Sequence, residues 1–236
     1  EKCSKLQDTF KKQEKATLQK IKKLVGQDID IWAARQIGFA FDKLGIDYPR
    51  TAKTDEPSFT QNWLNNNPNR KICRIFELGF GTGLNALIAK RYAEKHNLYV
   101  KYFSIEKFPL SNIEIELVKP NKLSNSEISI YTSSWNNEIR LSSFFSIHKI
   151  NADFFEYDFT ENYDVIFYDA FSFHTQPRMW NIKTLKKSID VLNKKGVWVT
   201  YCSKGDVRRS LELFNVDVKK TPGFSGKREM LRVIKN

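Results

Sequence analysis

The chain has 236 residues, 41% of them hydrophobic, which is enough for one sizeable packed domain or one domain with an added segment. No run approaches the roughly 18 to 20 apolar residues that span a bilayer, and no signal peptide is evident; with three scattered cysteines, a reducing, cytoplasmic setting is expected. The net charge of +12 suggests a polyanionic partner, nucleic acid before anionic membrane, although a lysine-rich surface kept for solubility explains the same number. Cys3, Cys73 and Cys202 are far apart and form no CxxC pair, so neither a metal site nor a disulfide scaffold is expected.

From the N-terminus, residues Cys3 to Val25 read as a basic helix, with Leu6, Phe10, Leu18, Ile21 and Leu24 at rough helical spacing and Gly26 as C-cap. A second helix spans about Ile29 to Leu44. Residues Asp47 to Arg70, with "DEPSF" and "NNNPNR", read as a connection. The chain thus divides into a basic helical region with linker, 1–70, and a main domain, 71–236. In the main domain "ICRIFELG" is a strand and "LNALIAKRYAEKH" an amphipathic helix. "LYVKYFSIE" is a second strand, "PLSNIEIELVK" a helix opened by proline, "FSIHKINAD" a third strand and "YDVIFYDAF" a fourth. "QPRMWNIKTLKKSIDVLNKKG" reads as one helix closed by Gly196. "VWVTYCS" is a fifth strand, a helix runs from about Asp206 to Phe214, and "VDVKKT" and "REMLRVIK" close the chain as strands. Such alternation predicts a mainly parallel sheet with ligands at the carboxyl ends of its strands.

Gly79-Phe80-Gly81-Thr82-Gly83 follows the first strand as G-x-G-x-G. It lacks the x-x-G spacing of a dinucleotide fingerprint and the Gly-Lys-Ser/Thr of a P-loop. Glu77, two residues earlier, would repel pyrophosphate and suits a ligand with a cationic amine there. S-adenosylmethionine carries such an amine and a sulfonium. Glu106, closing the second strand, can accept both ribose hydroxyls of an adenosine, a feature shared with dinucleotide sites. Asp153 can accept from an adenine amino group. The alternative for each acid is a solvated strand end. Together these features predict an α/β fold of the class I S-adenosylmethionine-dependent methyltransferase type. This is a Rossmann-like, seven-stranded, mostly parallel sheet whose last strand, "REMLRVIK", runs antiparallel at the edge.

Asp169 ends the fourth strand, where the reacting group sits in such a fold. Phe171, Phe173, His174, Gln176 and Trp180 follow. Methyl transfer needs a lone pair held roughly 3 Å from the methyl carbon. An aliphatic amine, with a pKa of about 10, must be bound neutral or give up its proton. Asp169 is the candidate to orient that amine and take the proton, with His174 a weaker one. Phe171 and Phe173 suit stacking on a flipped-out base, or core packing.

The run "ELGFGTGLN", "SIEKFPLS", "YDVIFYDAFSFHTQPRMW", "VTYCSKGDVRRSL" and "PGFSGKREML" resembles the tRNA 5-methylaminomethyl-2-thiouridine methyltransferase family, MnmC-like, over about Lys71 to Asn236. The resemblance implies methylation, from S-adenosylmethionine, of the aminomethyl group of a tRNA wobble uridine. It assigns the cofactor loop to Glu77, Gly79, Phe80, Gly81 and Gly83, the second-strand acid to Glu106 with Lys107 beside it, and the fourth-strand aspartate to Asp169. Lys204, Arg208, Arg209, Lys227 and Arg228 become a tRNA face, or else pair with neighbouring carboxylates. Some relatives carry a fused flavin-dependent oxidase domain. With no second glycine fingerprint here, a stand-alone methyltransferase supplied by a separate enzyme is expected. Methylation of another amine, in a protein or small molecule, and a non-catalytic RNA-binding relative stay open as alternatives.

Overall fold

At the centre of the sheet, β1 (Ile72–Leu78) and β5 (Tyr163–Tyr168) are nearly continuous apolar runs, because both of their faces are covered. Alternate side chains feed two cores. Ile75, Val100, Val165 and Val197 point to one layer, and Phe76, Phe103, Ile166 and Trp198 to the other. The computed structural model describes residues 72–119, 123–170, 173, 175–222 and 229–236. The expectations for the N-terminal helices and linker, and for Phe171, His174, Lys227 and Arg228, lie outside the described residues.

The remaining elements, in chain order, are α1 (Leu84–Lys95), β2 (Tyr99–Glu106), α2 (Asn112–Val118), α3 (Asn125–Thr132), β3 (Glu138–Ser142) and β4 (Phe145–Asn151). After β5 come a short 3-10 turn (Pro177–Trp180), α4 (Ile182–Asp190), β6 (Leu192–Thr200), α5 (Gly205–Glu212), β7 (Val216–Pro222) and β8 (Glu229–Lys235). The described residues form one eight-stranded sheet in the order β3-β4-β2-β1-β5-β6-β8-β7. The pairings β4-β2, β2-β1, β1-β5 and β5-β6 are parallel. The strand order reverses between β1 and β5, which opens a crevice at their carboxyl ends. Helix α1 buries Ala86, Leu87, Ala89 and Ala93 in the first core, while α4 buries Leu185 and Ile189 in the second. No helix among the described residues is long and apolar enough to cross a membrane.

Four sequence expectations need correction. The closing strand β8 is not the edge: it lies antiparallel between β6 and β7, with Leu231 and Val233 fully buried. The edge strand is β7, whose exposed Lys219 and Lys220 blunt it against further pairing. The helix expected to reach Gly196 stops at Asp190. Leu192 already pairs with Tyr163 and Val197 with Val165, and the residues between bulge out through Lys195 at φ 61°. Gly196 is therefore a strand residue, where a Cβ would stand 2.8 Å from the Asn193 carbonyl oxygen. Helix α2 opens at Ser111, not at the proline: Ser111 and Glu114 form a reciprocal capping box. Finally, the sequence pattern predicts neither α3 nor β3, and with β3 the sheet has eight strands where seven are expected. Ser124 and Glu127 cap α3 in the same way, and β3 pairs antiparallel with β4 at the far edge.

Candidate active site

The glycine loop carries the chain from β1 into α1. Gly79, Gly81 and Gly83 all have positive φ, at 89°, 50° and 70°. Gly79 donates its N–H to the Ile105 carbonyl at 2.9 Å, and a Cβ on it would stand 3.3 Å from the Asp169 carbonyl oxygen. A Cβ on Gly81 would meet no protein atom within 4 Å, so this glycine faces open space. Gly83 serves packing: it is the N-cap of α1, and a Cβ there would press on Phe80 and Tyr131. Beneath the loop, Phe80 meets Trp135 edge-on at 5.6 Å. The buried Lys149 ammonium lies 5.0 Å from the Trp135 ring and donates to the Tyr131 carbonyl. Burial pushes Lys149 down to about 8.

A cleft of about 430 Å³ opens at the carboxyl ends of β1, β2 and β5. It is lined by Glu77, Gly79, Phe80, Gly81, Glu106, Lys107, Asp153 and Asp169 of the expected residues. Glu77 is 1% exposed. Its carboxylate accepts from Asn85 Nδ2 at 2.7 Å and from Ser104 Oγ at 2.9 Å. Burial pushes it up to about 8, and the nearby Asp169 charge adds to the rise. The same Asn85 amide reaches Asp169 Oδ2 at 3.5 Å, so one side chain bridges the two acids. Glu106 accepts from the Phe108 N–H at 2.9 Å and, more loosely, from the Gly81 N–H at 3.4 Å. Asp153 is paired with Lys107 at 2.7 Å and accepts from the Phe155 N–H. These bonds hold its carboxyl below the usual range.

Other expected residues sit elsewhere. Lys204 lies over the Phe173 ring, 4.1 Å from its centroid, and Phe173 packs on the second core. Arg208 pairs with Glu212 and Arg209 with Asp206, each within α5. None of these four lines the cleft. Trp180 is core, edge-on to Tyr168 and Tyr201, whereas Gln176 does line the cleft. Sequence reasoning missed Asn85, Ser104, Phe108, Phe155 and Arg178. For Asn85 a signal was available: it stands one position into the helix that follows the loop.

The sheet order and the cleft define a class I S-adenosylmethionine-dependent methyltransferase fold. The model of a family described as S-adenosyl-L-methionine-dependent methyltransferase matches residues 122–236. The chain is 35% identical over 189 residues to the tRNA 5-methylaminomethyl-2-thiouridine biosynthesis bifunctional protein MnmC of Leptospira interrogans, covering 72% of this chain and 28% of that protein. The MnmC protein of Hydrogenovibrio crunogenus is 29% identical over 69% of this chain and 26% of its own length. The chain thus spans little more than a quarter of the curated relatives it matches. Among solved structures, MnmC2 from Aquifex aeolicus superposes with a TM-score of 0.57 at 24% identity, over 73% of this chain and 56% of that one, and shares the fold.

The cofactor of this class is S-adenosylmethionine, and the residues present fit it. Glu77 is a buried carboxylate in a cleft wall, with no cation paired to it among the described residues. A cationic amine would supply that missing charge. Gly81 leaves the space that a Cβ would fill, and Glu106 borders the same space.

Proposed function

We propose that the domain methylates the primary amine of a 5-aminomethyl group on a tRNA wobble uridine, giving 5-methylaminomethyl-(2-thio)uridine. The observation that carries this is the pair of acids Glu77 and Asp169, bridged by Asn85 at one end of the cleft. The MnmC relatives support the choice of substrate. When bound, S-adenosylmethionine supplies an electrophilic methyl group on a positively charged sulfur. Glu77, Glu106 and Asp153, with the glycine-loop backbone, would hold it. Glu77 offers its carboxylate to the amino group, Glu106 to the ribose hydroxyls and Asp153 to the adenine amino group.

Asp169 then serves the other reactant. Its carboxylate accepts an N–H of the substrate amine, which turns the nitrogen lone pair away from the acid, and it takes the amine's surplus proton at Oδ. Asn85 fixes Asp169 relative to Glu77, so the two carboxylates keep separate tasks. Phe171 is proposed to stack on the target base, while Phe173, packed on the second core, fits its alternative of core packing. Lys204, Arg208, Arg209, Lys227 and Arg228 are proposed as part of the tRNA face. On this reading a separate enzyme supplies the amine.

The test is methyl incorporation from labelled S-adenosylmethionine into tRNA bearing aminomethyluridine, compared with protein extract. Label is expected in the tRNA. Folded, cofactor-binding protein that leaves this tRNA unlabelled would remove the proposal.

A further inference from the structure

Beside the buried, mostly protonated Glu77, three further acids, Glu106, Asp153 and Asp169, line the cleft, which is the wrong sign for approach by a polyanion. Two cations line it as well, Lys107 and Arg178. Lys107 is held by Asp153 at 2.7 Å. Arg178 is exposed and forms no ion pair within 4 Å among the described residues, although its field reaches Asp153. Its guanidinium carbon lies 3.8 Å from the Phe155 ring centroid, close enough for a stacked cation–aromatic contact.

Both partners of this stack are tied down. The Arg178 carbonyl accepts from Asn181 Nδ2 at 2.8 Å and from Thr184 Oγ1 at 3.0 Å, at the start of α4. The Phe155 carbonyl accepts from Lys187 Nζ at 3.0 Å, and its N–H is bound to Asp153. A guanidinium that rests its face on a ring keeps its in-plane N–H fork free, in the geometry that takes two oxygens of a phosphate. Preorganisation lowers the entropy lost when those bonds form.

We propose that Arg178, stacked on Phe155 at the mouth of the cleft, is the contact for a backbone phosphate of the RNA strand that presents the target nucleotide. The inference rests on the tRNA reading above and extends it to a residue outside the expected basic face. Arg178 is a specificity and anchoring group, placed to offset the acids that hold the cofactor and the amine.

The experiment uses the full chain and the variants Arg178→Ala and Arg178→Lys. The probes are tRNA binding across a salt series, steady-state methylation of tRNA, and S-adenosylmethionine titration. For Arg178→Ala, KM for tRNA is expected to rise about tenfold, with the loss falling on KM rather than kcat. The log–log salt slope should shrink by about 0.7 to 0.9, one phosphate contact. Arg178→Lys keeps the charge and restores the slope, but loses the stack and recovers only part of KM. S-adenosylmethionine affinity should stay within about twofold.

An unchanged slope and KM in Arg178→Ala, in a protein whose wild type methylates tRNA, overturns the inference and leaves the proposed function standing. A loss of cofactor affinity matching the loss in KM also overturns it, by assigning Arg178 to the cofactor. Wild-type protein that binds tRNA through an Arg178-dependent salt slope, yet never methylates it, supports the contact while removing the proposed reaction.

Discussion

Glu77→Gln probes the proposed cofactor end of the cleft most directly. In the folded chain burial pushes this carboxyl from an ordinary 4.5 up to about 8. The folded state therefore holds the proton more tightly than the unfolded state does. The associated stability is fully present below pH 4.5 and is lost as pH rises toward 8. One proton corresponds to about 1.4 kcal/mol per pH unit, so the loss across this window is on the order of 3 to 5 kcal/mol. The amide accepts from Asn85 and can donate to Ser104, but it does not titrate. The variant should therefore gain on the wild type by that amount between pH 4.5 and pH 8 in ligand-free denaturant titrations. Cofactor binding supplies a second readout. At pH 7 a carboxyl with a pKa near 8 is about nine-tenths protonated, and a cationic amine against it favours the ionised form. Binding should then expel up to about 0.9 proton from the wild type and almost none from Glu77→Gln. Calorimetry in two buffers of different ionisation enthalpy measures this. Affinity should fall by about 10- to 100-fold, the range for one lost charge-assisted hydrogen bond. Equal proton release by both proteins, or a stability difference flat from pH 4.5 to 8, would refute the assignment of Glu77.

Three further outcomes are expected. Gly81→Val should cut S-adenosylmethionine affinity by more than about 100-fold, because the side chain fills open cleft space and must adopt a strained positive φ. Gly81→Ala should fall between the two, and unchanged affinity in both would move the cofactor off this loop. Asp169→Ala should lower kcat by about 10² to 10⁴, the usual weight of a positioned base, with cofactor affinity changed only a few-fold. Retained turnover would remove the base role. Deleting residues 1–25, which carry eight lysines against three acids, should weaken tRNA binding and flatten its salt dependence. An identical slope in the shortened chain would leave that region no part in RNA binding.

The strands were legible where one local pattern carries the whole message. "ICRIFEL" and "YDVIFY" are apolar on both faces, and only a doubly covered central strand needs that. Strand position was less legible. "REMLRVIK" reads equally well as an edge or an interior strand until Leu231 and Val233 are seen inside the second core. The lysines of "VDVKKT" were the available sign that the edge lies there instead. Helix α3 also announced itself, since Ser124 and Glu127 form the S-x-x-E capping box, but its modest apolar face gives weak periodicity. Strand β3 carries little hydrophobic signal, because its partner β4 and not its own burial holds it in place.

The site divides along the same line. Gly79, Gly81, Glu77 and Asp169 were readable because the backbone dictates them: a strand end, a tight turn and an acid at each crossing. Ser104 was not, because its role depends on register. Glu77 stands opposite Ser104 in the parallel β1–β2 pairing, and that alignment places the hydroxyl on the carboxylate. A slip of one residue would turn Ser104 to the opposite face and leave Glu77 one donor short in a buried wall. The same holds for Arg178. Its meaning comes from Phe155, a residue on the loop after β4 that only the packed structure brings beneath it. In the sequence an arginine between Pro177 and Met179 looks like a solvated surface residue; over Phe155 at the rim of an acidic cleft, it is the cation that the proposed RNA contact uses.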